Sequence, residues 1–286
     1  MKLVKLLANL GYGSRREVEK LLKSGVVTDD VGNSLGAKDF PGVDKILVSG
    51  EKLDSPAPLV LIMNKPEGYT CSMEDPEGTI YDLLPLRFSK RNPGLNPVGR
   101  LDKETSGMLL LSDDGKFLHR VIHPKSGCLK VYHVVLDRAL QGNERGIFGS
   151  GEMLLESETK PLLAAGFEAM GEKEAKVILH EGRYHQVRRM FAALGNHVTG
   201  LRRISIGGLE LPKDLPEGEW RIVTEEEKAM LFGNFAGGDA PDGIDRRNYR
   251  ARVGRHINTT SIKIMSIKTG DQAVDFTLVT KTAEGP

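Results

Sequence analysis

Hydrophobic positions near the start of the chain follow the spacing of α-helices. A first helix is predicted to end at Gly11, and its buried stripe would be Leu3, Leu6, Leu7 and Leu10. A second helix is predicted to begin at Ser14, which can form a capping box with Glu17, and to end at Gly25. Its buried stripe would be Val18, Leu21 and Leu22. Its polar positions carry four cations, which are Arg15, Arg16, Lys20 and Lys23.

After these helices the pattern changes to short β-prone segments. Two of them lie around residues 26–28 and 46–48, and the proline-rich stretch at residues 55–58 then has the composition of a linker. Beyond the linker, apolar runs and alternating patterns predict five strands, at residues 59–64, 107–111, 129–136, 175–180 and 220–223.

Few helices interrupt this series of strands. Two are expected at residues 116–122 and 185–194, and a capping box of Thr224 and Glu227 opens a last one. This order of elements predicts an α+β fold, in which a small N-terminal module precedes a larger domain built on an antiparallel or mixed sheet. Three units are therefore expected, at residues 1–57, 58–232 and 233–286.

The last of these units differs in composition from the rest. A glycine-rich stretch begins at Gly233, and five arginines follow within ten positions, namely Arg246, Arg247, Arg250, Arg252 and Arg255. We expect residues 233–286 to form a basic, flexible extension. Two interpretations are open: the extension contacts the phosphates of a nucleic acid, or it is solvated surface without a dedicated role.

The charge and cysteine content exclude some classes of protein. The net charge is only +1, and residues 1–57 hold nine Lys or Arg against eight Asp or Glu, so any affinity for phosphates must come from the placement of cations. Cys71 and Cys128 lack metal-ligand spacing, so neither a metal nor a disulfide framework is expected. Without a membrane-length apolar run or a secretory signal, the chain is expected to be soluble and cytoplasmic.

A polar turn precedes the predicted strand at residues 107–111, and it contains Asp102. By local pattern alone, Asp102 is a turn residue. A loop that leads into a buried strand can nevertheless hold a carboxylate rigidly, and Gly99 and Gly107 would let the backbone turn tightly at both ends. The local pattern leaves both interpretations open.

Four segments of the chain carry a resemblance to a known family. The segment Gly99-Arg100-Leu101-Asp102-x-x-Thr105-Ser106-Gly107 resembles the signature of the pseudouridine synthases of the RsuA and RluA types. Three further segments agree in order and spacing, at residues 65–69, 130–132 and 181–191. The N-terminal helix pair is similar to the S-four-like RNA-binding module of these enzymes. The branch most similar is the RsuA type, which modifies one uridine of 16S ribosomal RNA, and the resemblance covers residues 1–232.

The resemblance implies a reaction and a division of roles. Conversion of uridine to pseudouridine breaks the bond from C1′ to N1 and joins C1′ to C5, so neither a cofactor nor a metal is needed. Asp102 would attack covalently or take a sugar proton, and Tyr132 would lie against the uracil ring. Arg188 would form a two-pronged ion pair with Asp102. His180 and His185, which lack an acidic partner at metal spacing, are interpreted as structural.

The same resemblance suggests which residues contact RNA. Arg100 would fill the space that the reacting base vacates, and Lys65 would belong to the scaffold and contact a phosphate. The basic helix of the N-terminal module would lie along phosphates through Arg15, Arg16, Lys20 and Lys23. The expected partner is 16S ribosomal RNA, free or in an assembling small subunit, and the protein is expected to be monomeric. The alternatives are a 23S ribosomal RNA synthase of the same family and a non-catalytic RNA-binding assembly factor.

Overall fold

The computed structural model describes residues 2–123 and 126–232. The predicted C-terminal extension, residues 233–286, lies outside the described residues. Within the described ranges, no helix is long and apolar enough to cross a membrane.

The N-terminal module consists of two helices and a small antiparallel sheet. The helices are α1 (Leu3–Asn9) and α2 (Arg15–Lys23), and the strands, in sheet order, are β1 (Val27–Asp29), β2 (Ile46–Val48) and β3 (Glu51–Lys52). The predicted leucine stripe of α1 is buried. The predicted capping box is also confirmed, because Ser14 Oγ accepts from the Glu17 amide while Glu17 Oε2 accepts from the Ser14 amide at 2.7 Å. The first helix therefore packs, and the second helix begins, as the sequence predicts; in the stripe of α2, Val18 and Leu22 are buried and Leu21 is partly buried.

The larger domain is built on one mixed sheet of nine strands. The strands are β4 (Val60–Lys65), β5 (Asn96–Pro97), β6 (Ser106–Ser112), β7 (Lys130–Leu136), β8 (Gly166–Ala169), β9 (Glu174–Leu179), β10 (Val198–Ile206), β11 (Leu209–Glu210) and β12 (Trp220–Ile222). The main order is β12-β4-β6-β10-β7-β9-β8, and β5 and β11 pair with β6 and β10. All the pairs are antiparallel except β6 with β10, which is parallel. The predicted α+β fold on an antiparallel or mixed sheet is confirmed.

Five α-helices accompany this sheet within the described part of the chain, together with a 3-10 helix at Ile80–Leu83. They are α3 (Leu86–Ser89), α4 (Gly115–Ile122), α5 (Glu144–Ser150), α6 (Gln186–Ala193) and α7 (Glu225–Met230). All five predicted strands, and the helices predicted at residues 116–122 and 185–194, are found within one residue at each end. These predictions succeed because the apolar pattern of the sequence is strong. β4 and β6, for example, are buried along their whole length.

The sheet is covered on both faces by apolar side chains. One cluster includes Leu61 of β4 and the predicted apolar face of α6, represented by Val187 and Phe191. The other cluster includes Ile62 of β4 and Val121 of α4. Since adjacent residues of one strand point to opposite faces, a strand covered on both sides is largely apolar, and its buried polar side chains need hydrogen-bond partners. This packing makes the sheet a rigid support for the loops at its edges.

The longest strand of the sheet, β10, is not predicted by its sequence. It lies between β6 and β7, yet Gly200, Arg202 and Arg203 interrupt its apolar pattern. Arg203 is nevertheless only 2% exposed, because its Nε donates to the Met108 carbonyl at 2.8 Å and its Nη2 to the Gly99 carbonyl at 3.2 Å. A buried arginine of this kind reads as a surface residue in the sequence.

Specific polar contacts join the two regions of the chain. The Arg87 guanidinium donates to both carboxylate oxygens of Asp54, at 2.5 and 2.9 Å, and the Asn92 amide donates to the Asn9 carbonyl at 2.8 Å. Gly11 has a φ of +88°, and a Cβ there would lie 2.0 Å from the Arg87 carbonyl oxygen. The N-terminal module thus packs directly on the segment around α3. The boundary after residue 57 remains a prediction, and it falls between the last strand of the small sheet and the first strand of the large one.

Candidate active site

The loop that carries Asp102 connects β5 to β6, which lies in the interior of the sheet between β4 and β10. The carboxylate side chain of Asp102 is 31% exposed, so solvent can reach it, while the backbone of the loop is fixed by the contacts described below. Gly107, the second residue of β6, has a φ of +101° and pairs with Arg203 in the parallel ladder. A Cβ at Gly107 would lie 2.3 Å from the Arg203 carbonyl oxygen, so only glycine permits this approach. Close contact of two strands therefore sets the position of the loop.

Lys65 holds the loop from beneath. It is fully buried at the end of β4, and its ammonium donates to the carbonyls of Asp102, Lys103 and Thr105 at 3.2, 3.4 and 2.9 Å. A fourth acceptor, the carbonyl of Pro66, lies at 3.0 Å. Burial lowers the pKa of Lys65, and negative groups nearby, Asp102 among them, oppose that shift. These contacts agree with the predicted scaffold role of Lys65, and the fully buried ammonium has no exposed donor for the predicted phosphate contact.

Arg188 contacts the same loop from α6. Its Nη2 donates to the Glu104 carbonyl at 2.7 Å, and its Nη1 donates to the Val198 carbonyl at the start of β10 at 3.0 Å. Within the described residues, the predicted two-pronged ion pair of Arg188 with Asp102 is not formed. The guanidinium is turned to backbone carbonyls instead, so its role here is to position the loop. Its buried Nε has no protein partner among the described residues.

Three cations therefore fix the backbone of the Asp102 loop. Arg203 binds its start at the Gly99 carbonyl, Lys65 binds its centre, and Arg188 binds the Glu104 carbonyl. Hydrogen bonds to charged donors are stronger than neutral ones, and a buried carbonyl without a donor is costly. The loop is consequently preorganised before any substrate binds.

The side chain that lies against Asp102 is His185. The distance from His185 Nε2 to Asp102 Oδ1 is 3.4 Å. His185 occupies the N-cap of α6 with a φ of +48°, a left-handed conformation that is uncommon outside glycine. His185, predicted to be a structural histidine, therefore lies directly beside the Asp102 carboxylate. Its position inside the family-like segment at residues 181–191 was the available signal.

Tyr132 lies in the middle of β7. It is opposite Val177 of β9 and Arg203 of β10, and only 8% of its surface is exposed. Its ring belongs to the same apolar cluster as Leu101, the residue before Asp102. Tyr132 therefore lies on the face of the sheet where Leu101 is also packed, and its contact with a uracil ring remains a prediction.

The remaining predicted RNA contacts are surface residues. Arg100, beside Asp102, is exposed, and so are the four predicted cations of α2, which are Arg15, Arg16, Lys20 and Lys23. Their exposure leaves them available to phosphates, and their contact with RNA remains a prediction. Over residues 2–123 and 126–232, no group of three or more His, Cys, Asp or Glu side chains is arranged to hold a metal ion.

Comparison with known proteins defines the class to which this fold and site belong. The family of RNA pseudouridylate synthases matches residues 59–193, which include the Asp102 loop, β7 and α6. The chain belongs to this family, and it is a pseudouridine synthase by descent. The family predicted from the four sequence segments is confirmed.

Individual relatives resemble the chain over most of its length. It is 40% identical to ribosomal small subunit pseudouridine synthase A of Vibrio cholerae, over 81% of this chain and 100% of that protein. The protein of the same name from Escherichia coli is 36% identical over the same shares. A crystal structure of a pseudouridylate synthase is 32% identical, has a TM-score of 0.58, and covers 81% of this chain and 99% of its own.

Proposed function

We propose that this protein isomerises one uridine of 16S ribosomal RNA to pseudouridine, with Asp102 as the catalytic carboxylate. The observation that carries the proposal is the Asp102 loop, where a partly exposed carboxylate stands on a backbone fixed by three cations. The relatives named for the ribosomal small subunit, which match along their whole length, support the choice of RNA.

The reaction requires little beyond a well-placed carboxylate. The bond from C1′ to N1 breaks, the uracil rotates, and a new bond joins C1′ to C5; C5 loses a proton and N1 gains one, so the product is an isomer. An ionised Asp102 can serve by attacking C1′ or by taking the C2′ proton, and both routes need the same fixed position. The site assigns Lys65 and Arg188 to holding that position.

The reacting uridine must leave its stack before it reaches Asp102. Extrusion costs a few kcal/mol, and less in an irregular RNA than in a regular duplex. Arg100, exposed beside Asp102, is suited to occupy the vacated space. The cations of α2 would bind phosphates further along the same RNA, because the module that carries them packs against the catalytic domain at Asp54 and Arg87.

A comparison of ribosomal RNA from cells with and without the protein tests the proposal. We expect one pseudouridine of 16S RNA to disappear when the gene is removed and to return when the wild-type chain is supplied. Loss of a 23S site instead would assign the enzyme to the large subunit. If neither RNA loses a site while subunit assembly is impaired, the chain acts as a non-catalytic assembly factor and the proposal is wrong.

A further inference from the structure

The turn before α6 presents an exposed aromatic ring beside the catalytic carboxylate. Tyr184 is 75% exposed, and its ring stacks on His185 with 3.9 Å between centroids and 16° between planes. His185 Nε2 lies 3.4 Å from Asp102 Oδ1. A continuous series of contacts thus leads from the carboxylate, through one flat ring, to a second flat ring that faces solvent.

Hydrogen bonds on both sides of Tyr184 make this turn rigid. The Arg183 amide donates to Gln186 Oε1 at 2.9 Å, and the Arg183 guanidinium donates to the carbonyls of Lys160 and Pro161 at 2.8 and 2.6 Å. The Tyr184 carbonyl accepts from Arg189 Nη1 at 3.3 Å. The exposure of the ring is therefore a fixed feature of the fold, because the backbone that carries it has little freedom.

The charges around the turn are already paired. Arg183 forms ion pairs with Glu158 and Glu181, both at 3.1 Å, and Arg189 forms one with Glu158 at 2.8 Å. Paired guanidinium groups are poor phosphate ligands, since each carboxylate would have to be displaced. What the turn offers to an RNA is consequently the open face of the Tyr184 ring.

An aromatic face of this kind suits an unpaired nucleobase. Proteins that recognise single-stranded or irregular RNA commonly stack its bases on exposed aromatic side chains, and each stack contributes about 1–3 kcal/mol. In the irregular RNA from which a uridine is extruded, unpaired bases flank the target close to the carboxylate that receives it. His185 covers one face of Tyr184 and leaves the other face for that base.

We infer that Tyr184 stacks on an unpaired nucleobase that flanks the target uridine, at a position distinct from the vacated space that Arg100 would fill. The inference rests on the proposed function, since it requires an RNA substrate at Asp102. It adds a substrate-binding subsite whose ligand is a flat, unpaired base of any sequence. Tyr184 would act on binding of the RNA, whereas Asp102 acts on the reacting sugar.

The test compares Tyr184→Leu, which removes the aromatic face but keeps an apolar side chain, with Tyr184→Phe, which restores the face. The substrate is a 16S RNA transcript carrying tritium at C5 of uridine, because C5 loses its hydrogen during the reaction. We expect Tyr184→Leu to raise KM about tenfold with kcat changed less than about twofold. Tyr184→Phe should recover most of the loss. Met230→Ala, which truncates another exposed apolar side chain, is the matched control and should leave KM unchanged.

Several results would overturn the inference. An unchanged KM in Tyr184→Leu would show that the ring binds no base. A fall in kcat alone in that variant would make Tyr184 a support for His185. A loss in Tyr184→Phe equal to that in Tyr184→Leu would assign the effect to the hydroxyl. Binding of the same transcript by each variant in an Asp102→Asn background gives an independent reading. The ratio of the RNA affinities of the Tyr184 variants decides the inference even if the wild-type chain releases no tritium. Absence of tritium release would contradict the proposed function but not the inference about Tyr184.

Discussion

The cations that hold the Asp102 loop and the cations of α2 are the same residue types, but the first are surrounded by protein and the second by solvent. Lys65 and Arg203 are buried and donate to backbone carbonyls, while Arg15 and Lys20 project from α2 into solvent. Buried cations surrounded by carbonyls stabilise a loop and are unavailable to RNA. Exposed cations can neutralise phosphates and contribute little to folding. Basic residues near a catalytic carboxylate are therefore not, as such, evidence of a phosphate-binding surface.

The largest expected effect comes from removing the carboxylate while leaving both sets of cations in place. Asp102→Asn should reduce turnover by at least about a thousandfold, because an amide can neither attack C1′ nor take a proton. RNA binding should stay within several-fold, since Asp102 is not part of either cation set. Tritium release and filter binding measure the two quantities on one preparation. Turnover near the wild-type rate would show that another group performs the chemistry.

The next effect separates the buried cations from the exposed ones. Lys65→Met removes the donor shared by the carbonyls of the loop, so we expect the free energy of unfolding to fall by about 3 kcal/mol. Urea denaturation measures this change. Lys20→Met on α2 is the matched control and should change stability by less than about 0.5 kcal/mol. Equal stability of the two variants would contradict the role assigned to Lys65.

A converse experiment neutralises the cations of α2. Replacing Arg15, Arg16, Lys20 and Lys23 by Gln should weaken binding of 16S RNA about tenfold at moderate salt, and stability should be nearly unchanged. The slope of log affinity against log salt should become less steep by about 0.7 for each phosphate that the protein no longer neutralises. An unchanged slope would mean that the module binds no phosphates and that RNA is bound elsewhere on the protein.

The smallest expected effect concerns the contact between the two regions. Asp54→Asn should weaken the pairing with Arg87, and we expect the free energy of unfolding to fall by about 1 kcal/mol or less because the Arg87 side chain is one-third exposed. Faster protease cleavage at residues 55–58 would report the loosened contact. The exchange of both residues, Asp54→Arg with Arg87→Asp, should slow that cleavage again. If the single variant is cleaved as slowly as the wild type, the ion pair does not hold the two regions together.

Sequence reasoning was most successful where one physical signal dominated. Apolar periodicity located β4, β6 and α6 within one residue, and the capping box located the start of α2. It did not find β10, because Arg202 and Arg203 make a central strand look like surface. A charged side chain in a sequence predicts an exposed position. That prediction changes only when the hydrogen-bond acceptors of the side chain are known, and here those acceptors come from distant segments of the chain.

The same limitation explains the errors at the site. The sequence predicts Lys65 as a scaffold residue that also contacts a phosphate, because its four carbonyl partners, from residues 66, 102, 103 and 105, cannot be seen in the sequence. Arg188 is predicted as the partner of Asp102 because the family motif places its basic residue there, and helical spacing serves only to separate it from Arg189. His185, however, is at the N-cap in a left-handed conformation, so helical spacing does not describe where its side chain points. Family resemblance identified the segment but not the geometry within it.

The parallel pairing of β6 with β10 has a consequence for how the enzyme is made. Gly107 and Arg203 are neighbours in the sheet although nearly a hundred residues separate them in the chain. On the ribosome, the Asp102 loop emerges long before Arg188 and Arg203, which hold it, have been synthesised. We therefore expect the nascent chain to remain inactive until about residue 206 has been released, because contacts between distant segments form late in folding. Maturation of the active site would thus be one of the last events in the synthesis of this domain.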